Sequence, residues 1–119
     1  MTQHRASERT RALWCYWLLS ANPAEGEPFG VAVFLVNTRT DELYIGIQNA
    51  RVLRLDPVAR DILIEVLAQL RTDAQVRGGT AVARGIVEEW SNYFTMGEPR
   101  FTGLSDDMRV VMARLQARL

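Results

Sequence analysis

The sequence contains no lysine: all fourteen of its basic residues are arginine, and they balance fourteen acidic ones. A chain with no net charge has no global field to draw in nucleic acid or an anionic membrane surface. The absence of lysine fits a GC-rich coding bias; selection for bidentate anion recognition would require the arginines to cluster. There is one cysteine, Cys15, so no intrachain disulfide can form. It lies inside an apolar run, where cysteine behaves as a small buried hydrophobe. The only histidine, His4, falls in a polar N-terminal segment. That placement argues against a Cys–His or Ser–His nucleophile and against a zinc site, both of which need convergent ligands or bases. No stretch approaches the ~20 apolar residues of a membrane-spanning helix, and the polar residues 1–11 lack a secretory leader pattern. These absences lead to the expectation of a cytoplasmic, bacterial-type protein with no cofactor and no metal.

What is present is the composition of an ordinary globular domain: 119 residues, 48% hydrophobic and 24% charged. Residues 1–11 read as a polar tail and 12–119 as one domain. Two apolar runs, Ala12 to Ala21 and Phe29 to Asn37, flank a loop with two prolines and a glycine. Their aromatic and β-branched content predicts two antiparallel strands. Trp14, Tyr16 and Leu18 would share one face of the first strand, and Leu13, Cys15, Trp17 and Leu19 the other. In the second, Val31, Val33 and Leu35, joined by Phe29, would oppose Ala32, Phe34 and Val36. Leu43 to Gln48 predicts a third strand with a more polar second face, as befits an edge. Val52 to Leu55 reads as a short fourth strand or an extended connector.

Asp56-Pro57 is the clearest local signal, a capping acid followed by a proline suited to the first helical position. The spacing predicts a helix from there to about Arg71, with Val58, Ile62, Val66 and Leu70 as its inward stripe and Leu63 and Leu67 widening it. Thr72 to Gly79 reads as a polar connection, and Thr80 as the cap of a helix over Ala81 to Tyr93; a strand over 80–87 is the alternative. Gly85 weakens that helix or marks close packing. Thr95 to Leu104, with Gly97, Pro99 and Gly103, reads as loop. Ser105-Asp106-Asp107 opens a last helix, with acids in its first turn favoured by the helix dipole.

The order implies an α+β domain: a small antiparallel sheet of three or four strands followed by two or three helices packed on it. The first two strands are apolar on both faces, so the second face requires a crossing helix, a loop or another copy of the chain. The pattern Tyr16-Trp17-Leu18-Leu19 followed by Gly26-Glu27-Pro28-Phe29-Gly30-Val31-Ala32-Val33-Phe34-Leu35 resembles the opening of a bacterial family of small proteins of unknown function. In that family a Tyr-containing strand is followed by Glu, two variable residues, Asn, Val, Gly and an apolar run. Glu27, Val31, Val33 and Leu35 match, while Gly30 replaces the Asn and Ala32 the Gly. The similarity spans residues 12–70, Arg54-Leu55-Asp56-Pro57 included, and implies no activity and no site.

Three functional readings follow. The first is a non-enzymatic interaction or accessory domain that homodimerises or docks on a partner protein, with Trp14, Tyr16, Trp17, Trp90, Tyr93 and Phe94 as candidate interface residues. The second is a nucleic-acid-associated module using Arg51, Arg54 and Arg60, with Tyr44 or Trp17 for stacking; nucleic acid is the less favoured partner. The third is a small hydrolase or isomerase, for which Asp41-Glu42, Glu88-Glu89 and Asp106-Asp107 are the candidate carboxylates. Gly78-Gly79-Thr80 before a helix could hold an anion on backbone N–H groups, although no lysine follows to make a phosphate loop.

Overall fold

The computed structural model describes residues 12–89, 93–105 and 107–119. It is an α+β fold with a five-stranded antiparallel sheet. The elements are β1 (Ala12–Ala21), β2 (Phe29–Asn37), β3 (Leu43–Ile47), α1 (Asn49–Val52), α2 (Pro57–Arg77), α3 (Gly79–Glu89), β4 (Phe94–Met96), β5 (Arg100–Ser105) and α4 (Met108–Gln116). β1 is central: β2 and then β3 lie on one side of it, and β4 and β5 share its other side.

The two central strands bury both faces. Cys15, Trp17, Leu19, Phe34 and Val36 pack with Leu63, Leu67, Ala83 and Ile86 from α2 and α3. Trp14, Tyr16, Val33 and Leu35 pack with Val111, Met112 and Leu115 of α4. The layers are therefore helix, sheet, helix, and the second face is covered by a helix of the same chain. α4 comes close to the sheet because glycines lie beneath it. A Cβ at Gly30 would come within 2.7 Å of Leu119, and one at Gly46 would collide with Met112.

The alternation expected for β2 breaks at one residue. Leu19 faces Ala32 and Ser20 faces Gly30, so Val31 is an extra residue in the ladder. Such a bulge turns two successive side chains to one side. Val31 thus joins Ala32 in the α2/α3 core, away from Val33 and Leu35.

α2 starts where Asp56-Pro57 predicts, with the Asp56 carboxylate accepting from the Val58 N–H at 2.9 Å. It runs past Arg71 to Arg77, because polarity does not end a helix; Gly78, with φ of 88°, does. Its inward line is Leu63 and Leu67, supported by Leu70, while Val58 and Ile62 are 66% and 54% exposed. A strict four-residue spacing drifts roughly 40° around a helix at each step. Val58 and Leu70 therefore cannot share a face.

Three further expectations are corrected. Val52 and Leu55 are buried three residues apart on a helical turn, with Leu53 exposed between them, so this stretch is not a strand. Residues 80–87 are helical, within the helix Gly79–Glu89; Tyr93 and Phe94 are not helical, and residues 90–92 lie outside the described residues. Thr95 to Leu104 holds β4 and β5 instead of a loop; Gly97 and Pro99 fall in the short gap between the two strands. The Gly97 N–H still bonds the Leu18 carbonyl at 3.0 Å, so the two strands continue one line along β1.

Gly85 marks no close packing: a Cβ there would meet nothing within 4 Å. Gly85→Ala should therefore stabilise the protein by about 0.5–1 kcal/mol through helix propensity, measured as an increase in the urea midpoint. A decrease would show that the position is constrained.

Candidate functional site

The aromatic residues expected at an interface divide into three groups. Trp14, Tyr16 and Trp17 are 3%, 8% and 2% exposed, so they belong to the two cores and present no surface to a partner. Tyr93 and Phe94 are half-buried against the α2/α3 core and meet edge to face, with centroids 4.9 Å apart. Asn22 ties this corner down, its N–H donating to the Tyr93 carbonyl at 2.6 Å and its Nδ2 to Thr95 Oγ1 at 2.9 Å. Trp90 lies outside the described residues.

Arg51, Arg54 and Arg60 do not form one free cluster. Arg51 Nη2 donates to the Leu119 carbonyl at 2.8 Å. Arg54 stacks on the Phe29 ring, its guanidinium carbon 4.3 Å from the centroid. Leu119 packs with the α4-side core and Phe29 with the α2/α3-side core, so these two side chains serve opposite layers. Arg60 is half-buried in the first turns of α2. Tyr44, the proposed stacking partner, packs edge-on to Trp14 and donates its hydroxyl to Glu42 Oε2 at 2.7 Å.

The anion cradle expected at Gly78-Gly79-Thr80 exists, and an internal carboxylate fills it. Asp41, at the β2–β3 turn, accepts from the Thr80 N–H at 2.9 Å and from Thr80 Oγ1 at 2.6 Å. Its backbone carbonyl accepts from the Gly79 N–H at 2.8 Å. Thr80 is therefore a donor to a remote capping acid and not the cap itself. Asp41 adopts φ of 61°, a left-handed conformation that aspartate tolerates better than most residues. Gly78 gives it room, because a Cβ there would collide with the carboxylate. A groove of about 690 Å³ between this turn and the end of α2 is lined by Asp41, Glu42, Arg71 and Arg77. Both acids are already engaged, Asp41 with Thr80 and Glu42 with Tyr44. Each acid in this concavity thus commits one carboxylate oxygen to a structural contact. Of the other candidate pairs, Asp107 caps α4 through the Arg109 N–H at 3.0 Å, Glu88 is an exposed residue of α3, and Asp106 lies outside the described residues.

The two edges of the sheet differ. At β3 two outward carbonyls are occupied, one from each layer: Arg71 Nη2 of α2 donates to the Ile45 carbonyl at 3.2 Å, and Gln116 Nε2 of α4 to that of Ile47 at 3.0 Å. This is how an edge is protected from strand pairing. At the opposite rim, β5 pairs with β1 and with no further strand among the described residues. Arg100, Phe101 and Gly103 are exposed, Phe101 at 63%, and a Cβ at Gly103 would meet nothing within 4 Å. Even-numbered residues of β1 turn their polar groups toward this side, as the Leu18–Gly97 bond shows. Tyr16 faces Arg100 and Cys15 faces Phe101, so the Phe101 N–H and carbonyl point out of the sheet. Sequence reasoning missed this edge because Pro99 and Gly103 punctuate it. The β-forming pair Phe101-Thr102 between them was the available signal.

Cys15 is 6% exposed, and burial pushes its thiol pKa up, with the Arg84 charge only partly opposing. A raised pKa in the folded state keeps the thiol out of nucleophilic chemistry. Among the described residues no group of three His, Cys, Asp or Glu side chains is placed to hold a metal ion, and no helix is long and apolar enough to cross a membrane. Compared with protein families, with curated proteins and with solved structures, the chain matches none.

Two measurements test this geometry. Asp41→Ala should destabilise the protein by about 1–3 kcal/mol, through the lost cap and the unpaired Thr80 groups, and Asp41→Asn by less; equal urea midpoints for wild type and Asp41→Ala would refute the clamp. The raised thiol pKa contributes stability that is complete below the unfolded-state value of about 8.5 and is lost as pH rises through the folded-state value. The urea midpoint should therefore fall more steeply above about pH 8.5 in wild type than in Cys15→Ala.

Proposed function

We propose that the protein is a non-enzymatic interaction domain that docks on a protein partner, a second copy or another chain, through the β5 edge of its sheet. The observation that carries this reading is the open ladder of β5 with Phe101 63% exposed upon it. An edge strand with outward backbone groups is a template for a further strand. Main-chain hydrogen bonds would provide the affinity, and an aromatic side chain the anchoring contact. The contrast with β3 strengthens the reading, because there the Ile45 and Ile47 carbonyls are taken by Arg71 and Gln116.

The other two readings have less support. Two of the three arginines expected to bind nucleic acid, Arg51 and Arg54, are engaged by Leu119 and Phe29, and the carboxylates that share a groove are engaged by Thr80 and Tyr44. Amide hydrogen exchange, combined with light scattering at micromolar concentration, tests the proposal. In the dilute monomer the outward amide of Phe101 should exchange far faster than those of the β1–β2 ladder. If a second copy is the partner, dimerisation should slow it and Phe101→Pro should return the protein to monomer. Strong protection of that amide in the dilute monomer would mean that the chain covers its own edge, and the proposal would fail.

A further inference from the structure

Resting on the reading of β5 as a docking edge, we infer that its partner is an extended segment carrying acidic residues at alternate positions, added to β5 as a further strand. β5 borders a cleft of about 150 Å³ against α4, lined by Phe101, Thr102, Gly103, Arg114 and Arg118. Arg114 and Arg118 are both exposed and stand four residues apart, on one side of the chain's last helical turns. Neither has a carboxylate partner among the described residues. Arg100 is exposed at the start of the same strand, so three arginines border a six-residue edge.

The spacings agree. Residues four apart on a helix are separated by about 6 Å along its axis, and alternate residues of a strand by about 6.6 Å. A strand laid on β5 would thus present every second side chain to the arginine side of the cleft. Carboxylates there would form charge-assisted hydrogen bonds with guanidinium groups, while Phe101 offers apolar contact.

The same charges disfavour the alternative occupants from this chain. A twofold pairing of β5 with its own copy would bring Arg100, Arg114 and Arg118 of both protomers to one junction, and like charges across a strand pair are destabilising. Residues 1–11 carry Arg5, Arg9 and Arg11 against Glu8, the wrong sign for this cleft.

The test uses the full chain with three probes: a peptide alternating valine and glutamate, its valine–glutamine counterpart, and an oligothymidylate. The valine–glutamate peptide should bind and slow exchange at Phe101, with affinity roughly tenfold above that of the glutamine peptide at low salt. Arg114→Glu combined with Arg118→Glu should erase that preference, and Phe101→Pro, which removes an outward N–H, should abolish binding of both peptides. Equal binding of the two peptides, abolished by Phe101→Pro, would overturn the acidic partner and leave the docking edge standing. Failure of both peptides to bind, with exchange at Phe101 unchanged, would count against the edge itself. Acidic-peptide binding that survives Phe101→Pro would be a charge contact without strand addition and would overturn the inference. So would oligothymidylate binding that depends on Arg114 and Arg118 while the peptides are ignored.

Discussion

Two neighbouring strands that are apolar on both faces impose the architecture. β1 and β2 place large side chains alternately above and below the sheet, and neither face can be left in water. Burying a residue such as Trp17 or Leu35 contributes on the order of 2–3 kcal/mol, so the chain must supply cover twice. α2 and α3 do so on one side. The last helix has to pass to the other, which fixes where β4 and β5 run: along β1, as the return path from α3 to α4. The exposed rim at β5 is thus a by-product of covering the centre. Among the described residues, no further element shields the strand that completes the sheet on that side.

Much of the docking of these layers is done by small or displaced residues. Val31 bulges out of β2 and turns into the α2/α3 core. The bulge leaves Gly30 facing the other layer, where Leu119 lies across it. Gly46 does the same for Met112. Asp41 reaches from a turn between strands to the start of α3, so the break between α2 and α3 is positioned by the sheet as well as by Gly78. Each device couples an element to one remote in sequence, which is why none is apparent in a local window.

The strands of the core and the Asp56 cap were legible because their determinants are local, whereas the caps expected at Thr80 and Ser105 are supplied by Asp41 and Asp107. Alternating aromatics in β1, the Asp56-Pro57 cap and the polar second face of β3 each act within a few residues. The faces of β1 follow from period alone, and those of β2 only beyond the bulge, since Phe29 and Val31 pack on the side opposite Val33 and Leu35. The α+β class followed from the segregation of elements. What failed depended on tertiary context. Val58 and Ile62 were assigned inward by a spacing that drifts around the helix, whereas the sheet selects Leu63 and Leu67. Phe101-Thr102 took up strand geometry because β1 offered an open ladder, despite the neighbouring Pro99 and Gly103. The glycine-rich helix start reads more readily as turn glycines with a Thr80 cap than as an anion cradle, and nothing near it in sequence reveals that Asp41 is the acid bound there. The candidate interface aromatics in β1 were chosen for their size and proved to be core for the same reason.

The central strand also has an unusual history during synthesis. β1 gains β2 early, as a nearby hairpin, but its other neighbour and the cover over Trp14 and Tyr16 come from residues beyond 93. At roughly 5–20 residues per second, several seconds separate completion of the hairpin from completion of its second layer. Until then Trp14 and Tyr16 lack the side chains that bury them in the folded protein, and long-range closure of this kind is intrinsically slow. Burial of Trp14 and Tyr16 thus waits on Val111, Met112 and Leu115, so slow synthesis of the residues between β2 and α4 would prolong the exposure of an apolar sheet face.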